Sequence, residues 1–393
     1  MSTKKGIEVS IAAAEAAKLA RVEVIAAYPI TPQTHIVEHL SEIVANGELD
    51  AAYVNVESEH SAMSACVGAS ATGARTFTST SAQGMELMHE ILFIASAMRF
   101  PIVMAAVNRA LSSPLSIWGD HSDIMAARDT GWIMLFCENG QEVVDSIILA
   151  FKIAEDRRVL LPVMVNLDGF SLSHVIEPIE FPAQEDVDRF LPPYEALYTL
   201  HPDKPITMGA YGMPELYTEA KYAQEMALRN SKAVVKEVLD EFSTEFGRKY
   251  SIVETYNIEK ADTVFMALGS INENIKTAID NLKEEGKELG LVAPRLFRPF
   301  PAAELYDVLK DKKKIVVLER AMPAGATNGP LFNEIASLAV THGLNAQLEN
   351  FILGLGGRDV EPEELMETYE QVSSSTKVSH SDNKNYGVIG VRS

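Results

Sequence analysis

The chain has 393 residues, 47% of them hydrophobic, with 55 acidic against 34 basic side chains and a net charge of −21. That length favours two or three units over one small core, the acidity excludes nucleic acid as a partner, and no apolar run is long enough to span a bilayer. The two cysteines, Cys66 and Cys137, form no CxxC pair and read as buried small hydrophobes, so on sequence this chain alone is expected to hold neither an iron–sulfur cluster nor a structural zinc.

In chain order, segment 7–24 is interrupted by Glu8, Glu15, Lys18 and Arg21. It therefore reads as an amphipathic helix and not as a signal peptide, and the chain as cytoplasmic. From there to residue 166, apolar strands predicted at 22–27, 52–56, 76–80, 102–107, 133–136 and 163–166 alternate with helices at 33–45, 59–71, 85–98 and 142–154. Such alternation predicts an α/β unit, residues 1–169, with a doubly wound parallel sheet covered on both faces. Residues 170–261 change texture to proline-rich extended pieces and then a long charged helix over 215–246, which reads as a connecting arm with a solvated face. A smaller α/β unit over 262–372 has strands at 263–268, 289–293, 315–318 and 347–351 and helices at 272–284, 302–310 and 331–341. The tail 373–393, rich in Ser, Asn and charge, is expected to be disordered or docked on a neighbour.

The first unit carries the chemistry. Directly after its first strand stands Tyr28-Pro29-Ile30-Thr31-Pro32. Each proline fixes its own φ and pushes the preceding residue out of the helical region, so the loop is stiff around one hydroxyl, with Pro32 suited to the first position of the next helix. Glu59 opens a helix of small residues, where a dipole-stabilised carboxylate is the plainer reading and Glu57 fits that plainer role better. Ser81, Gln83 and Gly84 follow the third strand, and Arg109 follows the fourth as either an ion-pair anchor or a fork for a substrate carboxylate. Strand carboxyl ends of a doubly wound sheet converge on one crevice, which makes these loops one candidate site. His60, His89 and His121 lack metal-ligand spacing, and Asp120-His121-Ser122-Asp123 reads as a hydrogen-bond network. Gly354-Leu355-Gly356-Gly357-Arg358-Asp359 has Asp359 where a dinucleotide fingerprint needs its third glycine.

Taken together, the 28–32 loop, Glu57-Ser58-Glu59-His60-Ser61-Ala62, Thr80-Ser81-Ala82-Gln83-Gly84, Asn108-Arg109 and 116–123 resemble the α subunit of pyruvate:ferredoxin oxidoreductase and its 2-oxoacid relatives. Arg298-Pro299-Phe300-Pro301 and 354–359 extend the resemblance into the second unit, whereas Gly6-Ile7 departs from the Gly-Asn common in the family. The resemblance implies a thiamine-diphosphate pyrimidine-binding-type domain followed by a transketolase C-terminal-like domain. It implies oxidative decarboxylation of pyruvate to acetyl-CoA and CO2, or of a branched-chain 2-oxoacid. It places Glu59 on the cofactor's aminopyrimidine, where a carboxylate favours the imino tautomer that accepts the C2 proton, and Thr31 and Arg109 on the substrate carboxylate. Tyr28, Pro29, Ile30, Ser81, Gln83 and Gly84 would line the cofactor. Lacking a Gly-Asp-Gly with a later asparagine, the chain would share thiamine diphosphate with a β subunit that supplies Mg2+ and diphosphate binding. Coenzyme A would be co-substrate, [4Fe-4S] clusters would lie on γ and δ subunits or equivalents including a ferredoxin-like chain, and ferredoxin would accept the electrons. A non-catalytic assembly subunit is the contrary expectation, and retention of Glu59, Thr31 and Arg109 argues against it.

Overall fold

The computed structural model describes residues 2–374 and 386–391. Its first sheet has seven strands in the order Leu296–Arg298, Ile133–Phe136, Val163–Asp168, Val103–Asn108, Thr76–Thr80, Val24–Ala27 and Ala52–Asn55. All pair in parallel except Leu296–Arg298, which runs antiparallel to Ile133–Phe136. The central strands Thr76–Thr80, Val103–Asn108 and Val163–Asp168 are buried along their whole length, as a parallel sheet covered by helices requires.

On one face the helices Val9–Leu19, Thr34–Ala45 and Gly140–Glu155 pack into a core with the sheet, joined by one stripe of the long helix Pro214–Phe246. That stripe is Ala227, Val234, Val235, Val238, Leu239 and Phe242, helically spaced, while the charged face stays outside. The opposite face packs Glu59–Ala71, Ala82–Leu87 and His89–Ala97 together with one face of the second sheet. A third core lies beyond that sheet, under Ile271–Glu284 and Pro362–Ser374. The second sheet runs Gly387–Val388, Gln347–Ile352, Lys314–Glu319, Thr263–Met266, Leu289–Pro294 and Val253–Tyr256. Both cysteines are buried, and desolvation pushes their thiols up to about 12.

Several elements differ from the sequence expectation. Thr3–Glu8 precedes the first helix as a strand paired antiparallel with Ile176–Phe181, a register between segments far apart in the chain. The expected helix 85–98 is two helices meeting at Met88, whose backbone leaves the helical region at φ −91°, ψ 0°. Inside the expected arm, Val253–Tyr256 belongs to the second sheet, and inside the expected second unit, Leu296–Arg298 belongs to the first. The first sheet therefore takes an edge strand from the second unit, and the second sheet takes one from the arm. Of the tail, 375–385 and 392–393 lie outside the described residues. Gly387–Val388 pairs in parallel with the chain's own Gln347–Ile352 strand, with Arg358 Nη1 donating to the Gly390 carbonyl at 2.8 Å. Among the described residues, no helix is long and apolar enough to cross a membrane.

Candidate active site

Sheet order locates the site before any side chain does. Val24–Ala27 pairs with Ala52–Asn55 on one side and Thr76–Thr80 on the other, so the crossover out to Ala52–Asn55 and the next one back to Thr76–Thr80 run in opposite directions. Loops diverge there and open a crevice beyond the strands' carboxyl ends. Gln33 spans it: its Nε2 donates to the Tyr28 carbonyl at 2.9 Å and the Ser79 carbonyl at 2.8 Å. The Gln33 N–H also closes a turn onto the Ile30 carbonyl at 2.8 Å, so Pro32 lies within a turn and the helix starts at Thr34, one residue after the expected start. Tyr28, Pro29 and Thr31 are exposed at this mouth, with Ile30 half-buried.

Glu59 is the first residue of its helix, and Ser58 before it accepts the Ser61 N–H at 3.2 Å, which satisfies one free donor of the helix end. The Glu59 carboxyl is thereby left without that capping task. It is 5% exposed, no side chain among the described residues donates to it, and burial raises its pKa against a smaller opposing effect of its own backbone N–H. It lies against Gly84: a Cβ built there would stand 2.5 Å from Glu59 Oε1 and 2.5 Å from Thr80 Oγ1. Only glycine leaves room for both. Thr80 Oγ1, Ser79 Oγ, Gln33 Oε1 and Asn108 Oδ1 are buried without a partner, an accumulation expected where a polar ligand completes the set. By contrast, Glu57 is exposed and its Oε1 accepts the Ser61 hydroxyl at 2.5 Å.

Asp123 organises the opposite wall. Its Oδ2 accepts both the Ala82 N–H and the Arg109 N–H at 2.9 Å, and its Oδ1 the Ile124 N–H at 2.6 Å. These bonds hold Ala82 at φ +42°, a conformation rare outside glycine. Complete burial pushes the Asp123 carboxyl up to about 7, against the three N–H donors that favour its charged form.

Two expected roles are narrowed by this geometry. Arg109 is buried, with Nε donating to the Ser116 carbonyl at 2.8 Å and Nη1 to the Thr31 carbonyl at 2.9 Å. It is therefore not a free two-pronged fork: Nη2 is the nitrogen left, and the guanidinium also braces the Thr31 loop. Ser81 donates its hydroxyl to the Val107 carbonyl at 2.7 Å and so ties two strand ends instead of facing the crevice. Gln83 is half-buried on the same turn.

The cluster at 120–123 is a hydrogen-bond network that fastens the two units. Asp120 Oδ1 accepts the Ser122 N–H and hydroxyl, and its Oδ2 accepts the Gly356 N–H at 3.0 Å. His121 Nε2 lies 2.8 Å from Asp168 Oδ1, which Arg320 Nη1 also meets at 2.7 Å, and Ser270 donates twice to Oδ2. Despite its burial, Asp168 is held below the ordinary carboxylate range by Arg320 and His121. The 354–359 segment packs on this seam, the Gly357 N–H donating to the Gly119 carbonyl at 2.7 Å. Sequence reading missed Gln33, Asp168 and Arg320. For Asp168 and Arg320 the available signal was a charged residue at the end of an apolar strand; Gln33, just before a helix, offered none.

The pyruvate flavodoxin/ferredoxin oxidoreductase, thiamine diphosphate-binding family model matches residues 15–240, and the pyruvate:ferredoxin oxidoreductase core domain II model matches 261–365. Pyruvate synthase subunit PorA of Methanocaldococcus jannaschii is 54% identical over 368 residues, 93% of this chain and 94% of that protein. Its counterpart in Pyrococcus furiosus is 47% identical over 378 residues, 96% and 95% of the two chains. Ketoisovalerate oxidoreductase subunit VorA of Pyrococcus horikoshii is 48% identical over 358 residues, 91% and 90%. In fold, the chain resembles the solved 2-oxoglutarate:ferredoxin oxidoreductase from Magnetococcus marinus, with a TM-score of 0.68 at 20% identity, covering 94% of this chain and 65% of that one. The chain therefore belongs to the pyruvate flavodoxin/ferredoxin oxidoreductase family.

Proposed function

We propose that this chain is the α subunit of a thiamine diphosphate-dependent pyruvate:ferredoxin oxidoreductase, supplying the pyrimidine side of a shared cofactor site. The observation that carries the reading is Glu59: a buried carboxyl without a side-chain donor, laid against Gly84 beside the orphaned Thr80 hydroxyl at the switch point of the sheet. A flat heteroaromatic ring with ring nitrogens fits that donor set, and the stiff loops keep it formed.

Thiamine diphosphate, when bound, supplies the nucleophilic carbon and the electron sink for decarboxylation of a 2-oxoacid. Glu59 meets the pyrimidine nitrogen and holds a proton there, a task suited to a carboxyl whose pKa burial has raised. The Thr31 hydroxyl and Arg109 Nη2 grip one small carboxylate at the mouth, and Asp123 holds Arg109 and the 81–84 turn in place.

Mg2+ and the diphosphate fall to a β subunit, and [4Fe-4S] clusters to γ and δ chains or equivalents with ferredoxin as acceptor. Coenzyme A takes the acyl group, and the assembly is cytoplasmic. Pyruvate is favoured because several pyruvate synthase relatives, up to 54% identical, accompany the 48% identical ketoisovalerate relative. The test is to purify the chain with its native partners and follow acceptor reduction on a panel of 2-oxoacids with and without coenzyme A. Coenzyme A-dependent turnover led by pyruvate is expected. A lead by branched-chain 2-oxoacids transfers the site to that substrate class, and no turnover on any 2-oxoacid overturns the reading.

A further inference from the structure

Outside the crevice, one cluster of ligating side chains has no part in the chemistry above. Glu8 ends the Thr3–Glu8 strand, His35 lies in the first turn of Thr34–Ala45, and His174 lies in the turns after the Val163–Asp168 strand. One ligand atom from each falls within 4.8 Å of the other two. His35 Nδ1 is 2.6 Å from Glu8 Oε1, and the two imidazole rings face each other with centroids 4.6 Å apart at 35°. We propose that Glu8, His35 and His174 form a binding site for a zinc-class divalent cation that pins the start of the Thr34–Ala45 helix to the N-terminal strand and to the 170–175 turns.

The donor set argues for that class. Two imidazoles and one carboxylate suit zinc and its neighbours, with a fourth position for water, whereas calcium or magnesium would demand an all-oxygen set. Metal bonds of about 2.0–2.2 Å in tetrahedral geometry set donors roughly 3.4 Å apart, so His35 and Glu8, now 2.6 Å apart, would open slightly as His174 joins them, a movement within reach of side-chain rotation. His35 has the freedom for it, with its side chain 43% exposed, against 20% for Glu8. His174 is oriented from behind, as ligating histidines usually are: its Nδ1 lies 2.7 Å from Ser173 Oγ, which itself accepts the Phe170 N–H at 2.9 Å. The Phe170 ring packs on His174 at 4.7 Å and Trp118 packs on Phe170 at 4.4 Å, closing one side. The Glu8 side chain makes no capping bond to the helix it precedes, so ligation does not compete with a local role.

The cation would act on the neighbouring loop mechanically. His35 follows Thr31, Pro32 and Gln33 directly, and Pro32 is pressed by Gly169, where a built Cβ would stand 2.8 Å from Pro32 Cγ. Fixing His35 and His174 together clamps that loop from outside the crevice, and the inference stands whichever 2-oxoacid the crevice takes.

To test it, the full chain is stripped with a chelator and titrated with Zn2+ against a chromophoric competitor, as wild type, His35→Asn and His174→Gln, with circular dichroism confirming the fold of each. Wild type is expected to hold one equivalent that both variants lose, and Ser173→Ala to weaken it about 10- to 100-fold. Equal uptake by wild type and folded variants overturns the proposal. Wild-type crystals grown with Zn2+ give a check that needs no variant: an anomalous peak among the three side chains supports the site, and its absence there overturns it.

Discussion

Two glutamates invite comparison, one in each unit. Glu59 and Glu319 are each 5% exposed, and each lies against a glycine, Gly84 and Gly329. Burial raises the pKa of both, to about 7 for Glu319. Their partners differ. Glu319 accepts the Leu331 N–H at 2.8 Å, the Phe332 N–H at 3.0 Å and the Asn350 amide at 3.1 Å, so it closes the start of Pro330–His342 onto the sheet. Glu59 has only its own backbone N–H, and orphaned oxygens recur in its unit at Gln33, Ser79, Thr80 and Asn108, that of Thr80 across Gly84 from it. In the second unit, among the described residues, the one such atom is Asn272 Oδ1. Equal burial thus serves opposite ends: a saturated carboxyl is scaffold, and on the function proposed above the unsaturated one is kept for a ligand.

That contrast can be broken most directly at Glu59. In the complex with its partners, Glu59→Gln is expected to cut 2-oxoacid-dependent acceptor reduction by about 10²–10⁴-fold while subunit assembly persists. Normal turnover would make Glu59 no more than a buried scaffold group. Gly84→Ala places a Cβ against Glu59 Oε1 and Thr80 Oγ1. Overpacking of about 1–3 kcal/mol should appear as weaker thiamine diphosphate binding by calorimetry, roughly 5- to 150-fold, and unchanged affinity would show that the crevice yields.

For Glu319 the expected effect is on stability. Its pKa is raised in the fold, so its contribution is fully present below the unfolded value near 4.5 and is lost as pH rises through about 7. Unfolding free energies from denaturant titrations should fall between pH 5 and 8 by on the order of 1–3 kcal/mol. Glu319→Gln should flatten part of that slope, with Asp123 supplying the rest. A slope identical to wild type would remove Glu319 from the account. The smallest change is expected for Thr31→Val, which gives up one hydrogen bond at the mouth. KM for the 2-oxoacid should rise about 2- to 10-fold with cofactor affinity constant, and an unchanged KM would return the loop to a mere connector.

The α/β alternation was legible in the sequence because buried parallel strands are short apolar runs and their helices show a 3.6-residue period. The loops holding Thr31, Glu59, Gly84 and Arg109 stood out for the same reason, as polar groups at strand ends. Element bounds followed less well where side chains acted at a distance: Gln33 reaches back to Tyr28 and Ser79, which no local pattern encodes. The Arg109 contacts with Thr31 and Ser116 also depend on loop closure, so its guanidinium could be named as a site group but not assigned its bracing task. The strand Thr3–Glu8 was hidden by its distant partner, and Glu8, His35 and His174 come from three remote segments with no shared spacing.

The antiparallel strand Leu296–Arg298, lent by the second unit to the first sheet, sets a timetable for synthesis. Ile133–Phe136 leaves the ribosome with one edge open, and Leu135 waits for Leu296 before its backbone is paired on both sides. An open apolar edge invites other chains, and a late non-local contact is slow to form. Truncation between the units should therefore yield aggregation instead of a free first unit. The buried pair of Arg295 with Glu142, at 2.7 and 2.8 Å, then acts as a latch that fastens only once both halves exist.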